Sequence, residues 1–216
     1  MKLILNEKPI ESIPGPQTSL GEALTGVQQS HVGANQVISA IFVDGQALTA
    51  DLLEAWKDRP CGEFHEARID APDRRELAVH SLRVLAEGLR ESHKDRQRIS
   101  ELCAQGQPGQ AMDRLAQYLN LWNNTQLTLG AAARLLNAQL ESLEVPVGGA
   151  DDGEGTTTIA ARLGELTEQL AQLKQALEAE DYVLLGDVLE YEFAPLTDAW
   201  RVMLGHLATY FEQSPA

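Results

Sequence analysis

The stretch DYVLLGDVLEYEFAPLTDAWRVMLGHLATYFEQ, residues 181 to 213, decides how the rest of the chain must be arranged. Within it Leu185, Leu189, Phe193, Leu196, Trp200, Met203, Leu207 and Tyr210 recur in steps of three and four. That period places them along one side of an α-helix, and a helix with a single apolar stripe must bury it against partners. Asp181 is placed to cap its start. Pro195 has no N–H for the carbonyl of Tyr191, so a kink is expected there, at a cost of about 3 kcal/mol unless neighbours compensate. Asp181, Asp187, Glu190, Glu192 and Asp198 are expected to form the solvated face. Ligand or acid–base roles are the functional alternative for these five.

Upstream, Ile159, Leu163, Leu166, Leu170, Leu173 and Leu177 repeat the same steps and predict a second helix. Before it, VPVGGADDGEGTTT (Val145 to Thr158) is rich in glycine and acid and predicts a mobile loop. The loop has no P-loop lysine, and Asp151, Asp152 and Glu154 would repel phosphate. The run Met112, Leu115, Leu119, Trp122, Gln126, Leu129, Ala133, Leu136, Leu140 and Leu143 has the spacing of a coiled-coil seam. About 35 residues of helix at 1.5 Å each would make a rod of roughly 50 Å. Gln126 is its one polar member. From Pro72, a further run through Ala78, Leu82, Leu85, Leu89, Ser92, Arg96, Ile99 and Cys103 leads to the turn QGQPG. Four such helices with mostly short connections predict an antiparallel four-helix bundle over residues 72–216.

Residues 1–71 have a different texture. MKLIL meets the turn cluster Asn6-Glu7-Lys8-Pro9, with a returning strand expected through Ile10 and Ile13. Ser19 with Glu22 forms a capping-box pattern ahead of Leu20, Ala23, Leu24 and Val27. QVISAIFV (Gln36 to Val43) reads as a strand, and Asp44-Gly45 as a hairpin turn into Gln46-Ala47-Leu48. Thr49 caps a short helix, DLLEAW, and FHEARID closes the region as a last strand.

That order of elements resembles the β-grasp fold of ubiquitin and its relatives. The resemblance covers residues 1–71 and implies a small α+β domain ahead of the bundle. The last strand runs into Ala71-Pro72 without a terminal Gly-Gly tail, so neither conjugation nor sulfur carriage is implied. The run DYVLLGDVLEYE is similar to a stretch of uncharacterised bacterial proteins of helical type.

The 216 residues carry 32 acids against 17 bases, a net charge of −15 at pH 7. Such a balance disfavours nucleic acid and anionic lipid, whose phosphates are held by Lys and Arg. No apolar run approaches a membrane span, and the opening residues do not form a signal peptide. Cys61 and Cys103 lie far apart and are expected as two reduced thiols in a cytoplasm. Di-iron bundles use Glu-x-x-His on two helices; here only Glu76 and His80 share a face, and His31, His65, His93 and His206 are scattered. No metal, cofactor or catalytic residue is therefore expected.

The arginines and lysines of the first long run, Arg90 and Lys94 among them, could grip an acidic partner or could complement the acidic segment from Glu141 to Asp198. Trp56 on the short helix is the best-placed partner anchor, because Trp dominates interface hot spots; packing between the domains is its other use. With Tyr191 and Glu192 beside Pro195, these residues form the expected partner-binding set. The leading expectation is a non-enzymatic adaptor or chaperone-like protein, binding another protein or a second copy of itself. A chaperone for secreted or flagellar subunits is one concrete form. The alternative is an enzyme or small-molecule binder with a pocket at the domain junction or near the Pro195 kink.

Overall fold

The computed structural model describes residues 1–11, 14–140, 142–147 and 155–213. The chain is α+β, with a small sheet near its start and helices after it, in two compact units, Met1–Leu77 and Ala78–Ala216.

In the first unit, β1 (Lys2–Leu5) turns through Asn6 and Glu7, both at positive φ, into the two-residue β2 (Lys8–Pro9). Helix α1 (Leu20–Ser30) starts at a reciprocal capping box: Ser19 Oγ accepts from Glu22 N at 3.2 Å, and Glu22 Oε2 accepts from Ser19 N at 3.0 Å. β3 (Ala40–Val43) passes through Asp44-Gly45, at φ of 49° and 81°, into β4 (Gln46–Ala47). Paired positive φ values match the right-handed twist of a hairpin. After α2 (Ala50–Trp56), β5 (Glu66–Asp70) takes the centre of a sheet ordered β2-β1-β5-β3-β4. β1 and β5 are parallel, and the other pairs are antiparallel. Leu20, Leu24 and Val27 of α1 meet Leu3, Val43, Phe64, Ala67 and Ile69 in one core. Asp44 also pins the start of β5, its Oδ1 accepting the N–H groups of His65 and Glu66 at 2.9 Å each. The Glu66 N–H is the main reason its carboxyl sits below the ordinary range.

Two strands are shorter than the sequence predicts. Only Ala40–Val43 of the run from Gln36 forms regular strand; beyond it the pairing is irregular, with Val37 N–H donating to Pro72 O at 3.1 Å and Gln36 bridging to Asp73. The Gln36 side chain also turns back, its Oε1 accepting the N–H of Gly33 at 2.8 Å. β2 ends at Pro9, with the N–H of Ile10 adding one further bond to Leu3 O at 2.9 Å. Ile13 lies outside the described residues.

In the second unit the first long run is two helices, α3 (Arg74–Glu91) and α4 (His93–Ala104). The break falls on Ser92, whose buried hydroxyl donates to Leu89 O at 2.7 Å, a local bond that competes with regular helix. α5 spans Pro108–Leu136 and stops seven residues earlier than the leucine repeat predicts. Asn137 turns left-handed (φ 50°, ψ 36°), and its N–H closes on Ala133 and Arg134 carbonyls; asparagine tolerates that conformation. Leu140 still reaches the core, from non-helical chain. The buried seam of α5 is Ala111, Leu115, Tyr118, Trp122, Thr125, Leu129 and Ala132. Gln126 is therefore exposed rather than a register-setting core residue, and Leu119 is half-buried.

The ends of the expected mobile loop are strands, β6 (Glu144–Pro146) and β7 (Thr156–Thr158), paired antiparallel. Residues 148–154 of that loop lie outside the described residues. α6 (Ile159–Glu178) follows, and then the closing stretch in three pieces: α7 (Tyr182–Asp187), a π-helical turn (Val188–Glu192) and α8 (Phe193–Gln213). Pro195 thus sits in the first turn of α8, directly after the π-helical turn. Seven of the eight expected seam residues are buried; Tyr210 is 47% exposed, and Phe211 takes its place.

Trp122 meets Trp200 edge-to-face at 5.6 Å and Phe193 at 5.9 Å, with Tyr118 closing the cluster onto Phe193 at 5.9 Å. Perpendicular rings place positive edges on negative faces and contribute about 0.5–1.5 kcal/mol per pair beyond burial. This cluster ties α5 to α8 at the centre of a core shared by α3 through α8. Two substitutions on α5 separate its faces. Leu129→Ala should cost about 2–5 kcal/mol in urea unfolding, whereas Gln126→Ala should stay within about 0.5 kcal/mol of the parent.

Candidate functional site

α4 and α7 pack side by side, with Ser100 Oγ donating to the carbonyl of Gly186 at 3.2 Å. Asp181 caps α7 by accepting from Leu184 N at 2.9 Å. Beyond α7, the π-helical turn is closed by a bond from Phe193 N–H to Val188 O, five residues back. Wide turns of this kind arise where an ordinary ladder cannot be kept. Pro195 is the local cause: it gives no N–H to Tyr191 O and its ring crowds that carbonyl.

A groove of about 460 Å³ lies between these helices. One wall is Gln97, Ser100, Glu101 and Cys103 of α4; the other includes Tyr182, Val183, Asp187, Glu190 and Tyr191. Val183 is 74% exposed and Tyr191 70%, the two most exposed large apolar side chains among the described residues. Every charged residue of the lining is acidic. Glu101 is paired with Arg98 at 2.8 Å, but Asp187 and Glu190 form no ion pair among the described residues. The Cys103 thiol at the groove floor is pushed up by burial and stays protonated, which removes it as a nucleophile.

The expected partner-binding residues divide. Tyr191 lines the groove, and Glu192 follows it on the same turn, exposed but outside the lining. Trp56 is half-buried against Phe64, with ring centroids 5.6 Å apart and the Arg59 guanidinium over both rings. It belongs to the core of the first unit. Arg90 is exposed but engaged by Glu87, Nε to Oε2 at 2.8 Å. Lys94 is exposed and without an ion pair among the described residues. Neither Arg90 nor Lys94 lines the groove.

Sequence reasoning missed Val183 and the α4 wall as groove residues.

Other features carry less chemistry. The first unit has a cleft of about 640 Å³ beside β2, lined by residues that include Lys8, Ile10, Glu11 and His31. Among the described residues no group of three or more His, Cys, Asp or Glu is gathered as metal ligands would be. Within the core, burial pushes the Tyr118 phenol up, opposed by the Thr197 hydroxyl 3.4 Å away and by the nearby Arg96.

Residues 82–203, more than half of the chain and all of the groove, match a family described as a domain of unknown function, DUF8042. The chain belongs to this family. Residues 1–71 match a second family model, described as the TP0873 N-terminal domain. Neither curated proteins nor solved structures yield a match to the chain. The DUF8042 segment contains Cys103, and Cys61 lies outside it. Both thiols are buried and raised by desolvation. Each should resist iodoacetamide at neutral pH in the folded chain and react readily in urea, read as mass added; rapid alkylation of native Cys103 would contradict the geometry described.

Proposed function

We propose that this chain is a non-enzymatic protein-interaction module, adaptor or chaperone-like, whose contact surface is the groove between α4 and α7. The observation that carries the reading is the exposure of Val183 and Tyr191 on one open groove. Large apolar side chains left in water along a rimmed depression are the usual mark of a surface that a partner covers. A groove open along its length suits a partner's side chains better than a substrate that must be sealed from water. The alternative, a small-molecule site near Pro195, has in its favour a volume of about 460 Å³, within the usual range for such sites.

In the same reading, residues 1–71 form a β-grasp domain. Its support is the strand order β2-β1-β5-β3-β4 with β1 and β5 parallel and α1 packed on the sheet. Residues 72–216 form an antiparallel four-helix bundle of α3 with α4, α5, α6, and α7 with α8. One shared core and the short links at Gln105 to Gln107 and at Ala179 to Asp181 favour that arrangement. No helix among the described residues is long and apolar enough to cross a membrane. Two free thiols fit a reducing compartment, and we assign the protein to the cytoplasm.

A photo-crosslinking residue at position 191, with another at the exposed Glu168 as control, tests the module directly in cells. A discrete protein adduct, with a second protein or a second copy, is expected at 191 and not at 168. Equal labelling at both positions, or a small molecule displaced from the groove, would contradict the reading.

A further inference from the structure

We infer that the groove between α4 and α7 receives a cationic amphipathic helix from a different protein. The inference rests on the interaction reading above and adds the chemistry of the partner.

Charge sets the sign. Of the three charged groups in the lining, Glu101 is already neutralised by Arg98. Asp187 and Glu190 line the groove with Val183 and Tyr191 and form no ion pair among the described residues, and a partner that covers the apolar pair also takes these carboxylates out of water. Burying a carboxylate without a counter-charge is costly. A neutral helix would leave that cost standing, and an acidic one would add repulsion. Lysine or arginine at the edge of the partner's apolar face converts the same two carboxylates into charge-assisted pairs. A second copy of this chain is disfavoured, because each copy brings a net charge of −15.

Shape sets the element. Both walls are helical faces, Gln97 to Ala104 on one side and Tyr182 to Tyr191 on the other. The longer wall covers about 15 Å at 1.5 Å per residue, which matches two to three turns of a partner helix. Side chains three and four apart on that helix would meet Val183 and Tyr191, the helix-in-groove mode of peptide recognition.

The test uses the full chain and three fluorescent peptides of about 18 residues, long enough to hold helix. They share one leucine-rich face and differ only in polar face: lysine, glutamine or glutamate. Anisotropy titrations at about 0.15 M salt should show the lysine peptide binding about tenfold or more tighter than the glutamine peptide, with the glutamate peptide weakest. Asp187→Asn with Glu190→Gln should weaken the lysine peptide about tenfold and flatten its salt dependence, and Val183→Ser with Tyr191→Ala should weaken all three peptides. Asp113→Asn with Glu168→Gln removes two exposed acids away from the groove and controls for net charge; it should change affinity by less than about twofold. Circular dichroism on each variant confirms retained helix. Equal binding of the lysine and glutamine peptides would overturn the inference, as would an equal loss in the control variant. If no peptide binds while crosslinking at position 191 still captures a protein, the cationic helix is wrong and the interaction module stands.

Discussion

Pro195 cannot donate a backbone hydrogen bond, yet it lies in the apolar stretch the second unit is built on. The chain resolves this by widening the preceding turn, so that Phe193 bonds to Val188 and a new helix begins at Phe193. Two consequences follow from one missing N–H. Phe193, Leu196 and Trp200 enter the core on the α8 side, and Tyr191 is left on the outer side, two residues before Phe193 in the widened turn. The same irregularity that seats the aromatic cluster thus supplies the most exposed tyrosine of the unit.

The core around that cluster is not purely apolar. Arg96 and Arg162 are buried, and among the described residues Arg96 Nε, Arg162 Nε, Trp122 Nε1 and Trp200 Nε1 have no hydrogen-bond partner. Each buried donor of this kind costs about 1–3 kcal/mol relative to a satisfied one. Arg162 recovers part of it through Glu165 at 2.6 Å, and Arg96 lies close enough to the Tyr118 phenol to oppose its burial. The edge-to-face rings and the leucines of α5 and α8 have to offset these donors, which explains why so much aromatic surface is concentrated at one level. Surface charge contributes far less. The Arg83–Glu212 pair between α3 and α8 is exposed on both sides, and such pairs contribute about 0–1 kcal/mol.

Periodicity made much of this legible. The seam of α8 and the caps at Ser19, Thr49 and Asp181 follow directly from residue type and spacing. In α6, by contrast, Ile159, Leu166 and Leu173 are buried as expected, Leu163, Leu170 and Leu177 are half-buried, and Arg162 and Ala176 complete the buried face. Pro195 marked where the closing helix departs from regularity, and the wide turn just before it is the form that irregularity takes. Elsewhere period misled. Leu140 and Leu143 continue the heptad in register, but a left-handed Asn137 ends the helix first, and no periodic count registers one residue's φ. Gln126 and Thr125 are neighbours in sequence, so a shift of one position in the seam exchanges which is buried. For the candidate site, Tyr191 was legible as an aromatic beside Pro195. Asp187 and Glu190 were named only as a solvated face with a ligand alternative, and Val183 and the α4 wall were not legible, because a groove between two helices exists only once both are packed. Trp56 fell the other way, since Phe64 and Arg59 surround it through contacts that composition does not show.

α8 is anchored through the aromatic cluster, whereas α7 and the widened turn, with Val183 and Tyr191 in water, should form the looser outer surface. Short helices with exposed apolar side chains open locally at lower free energy than core helices. Amide hydrogen exchange on the isolated full chain measures this most directly. Amides of Leu196 to Leu207 should exchange as slowly as those of Leu115 to Leu129, by global unfolding, with Tyr182 to Glu192 clearly faster. Uniform protection from residue 182 to residue 207, or fast exchange in α8 itself, would contradict it.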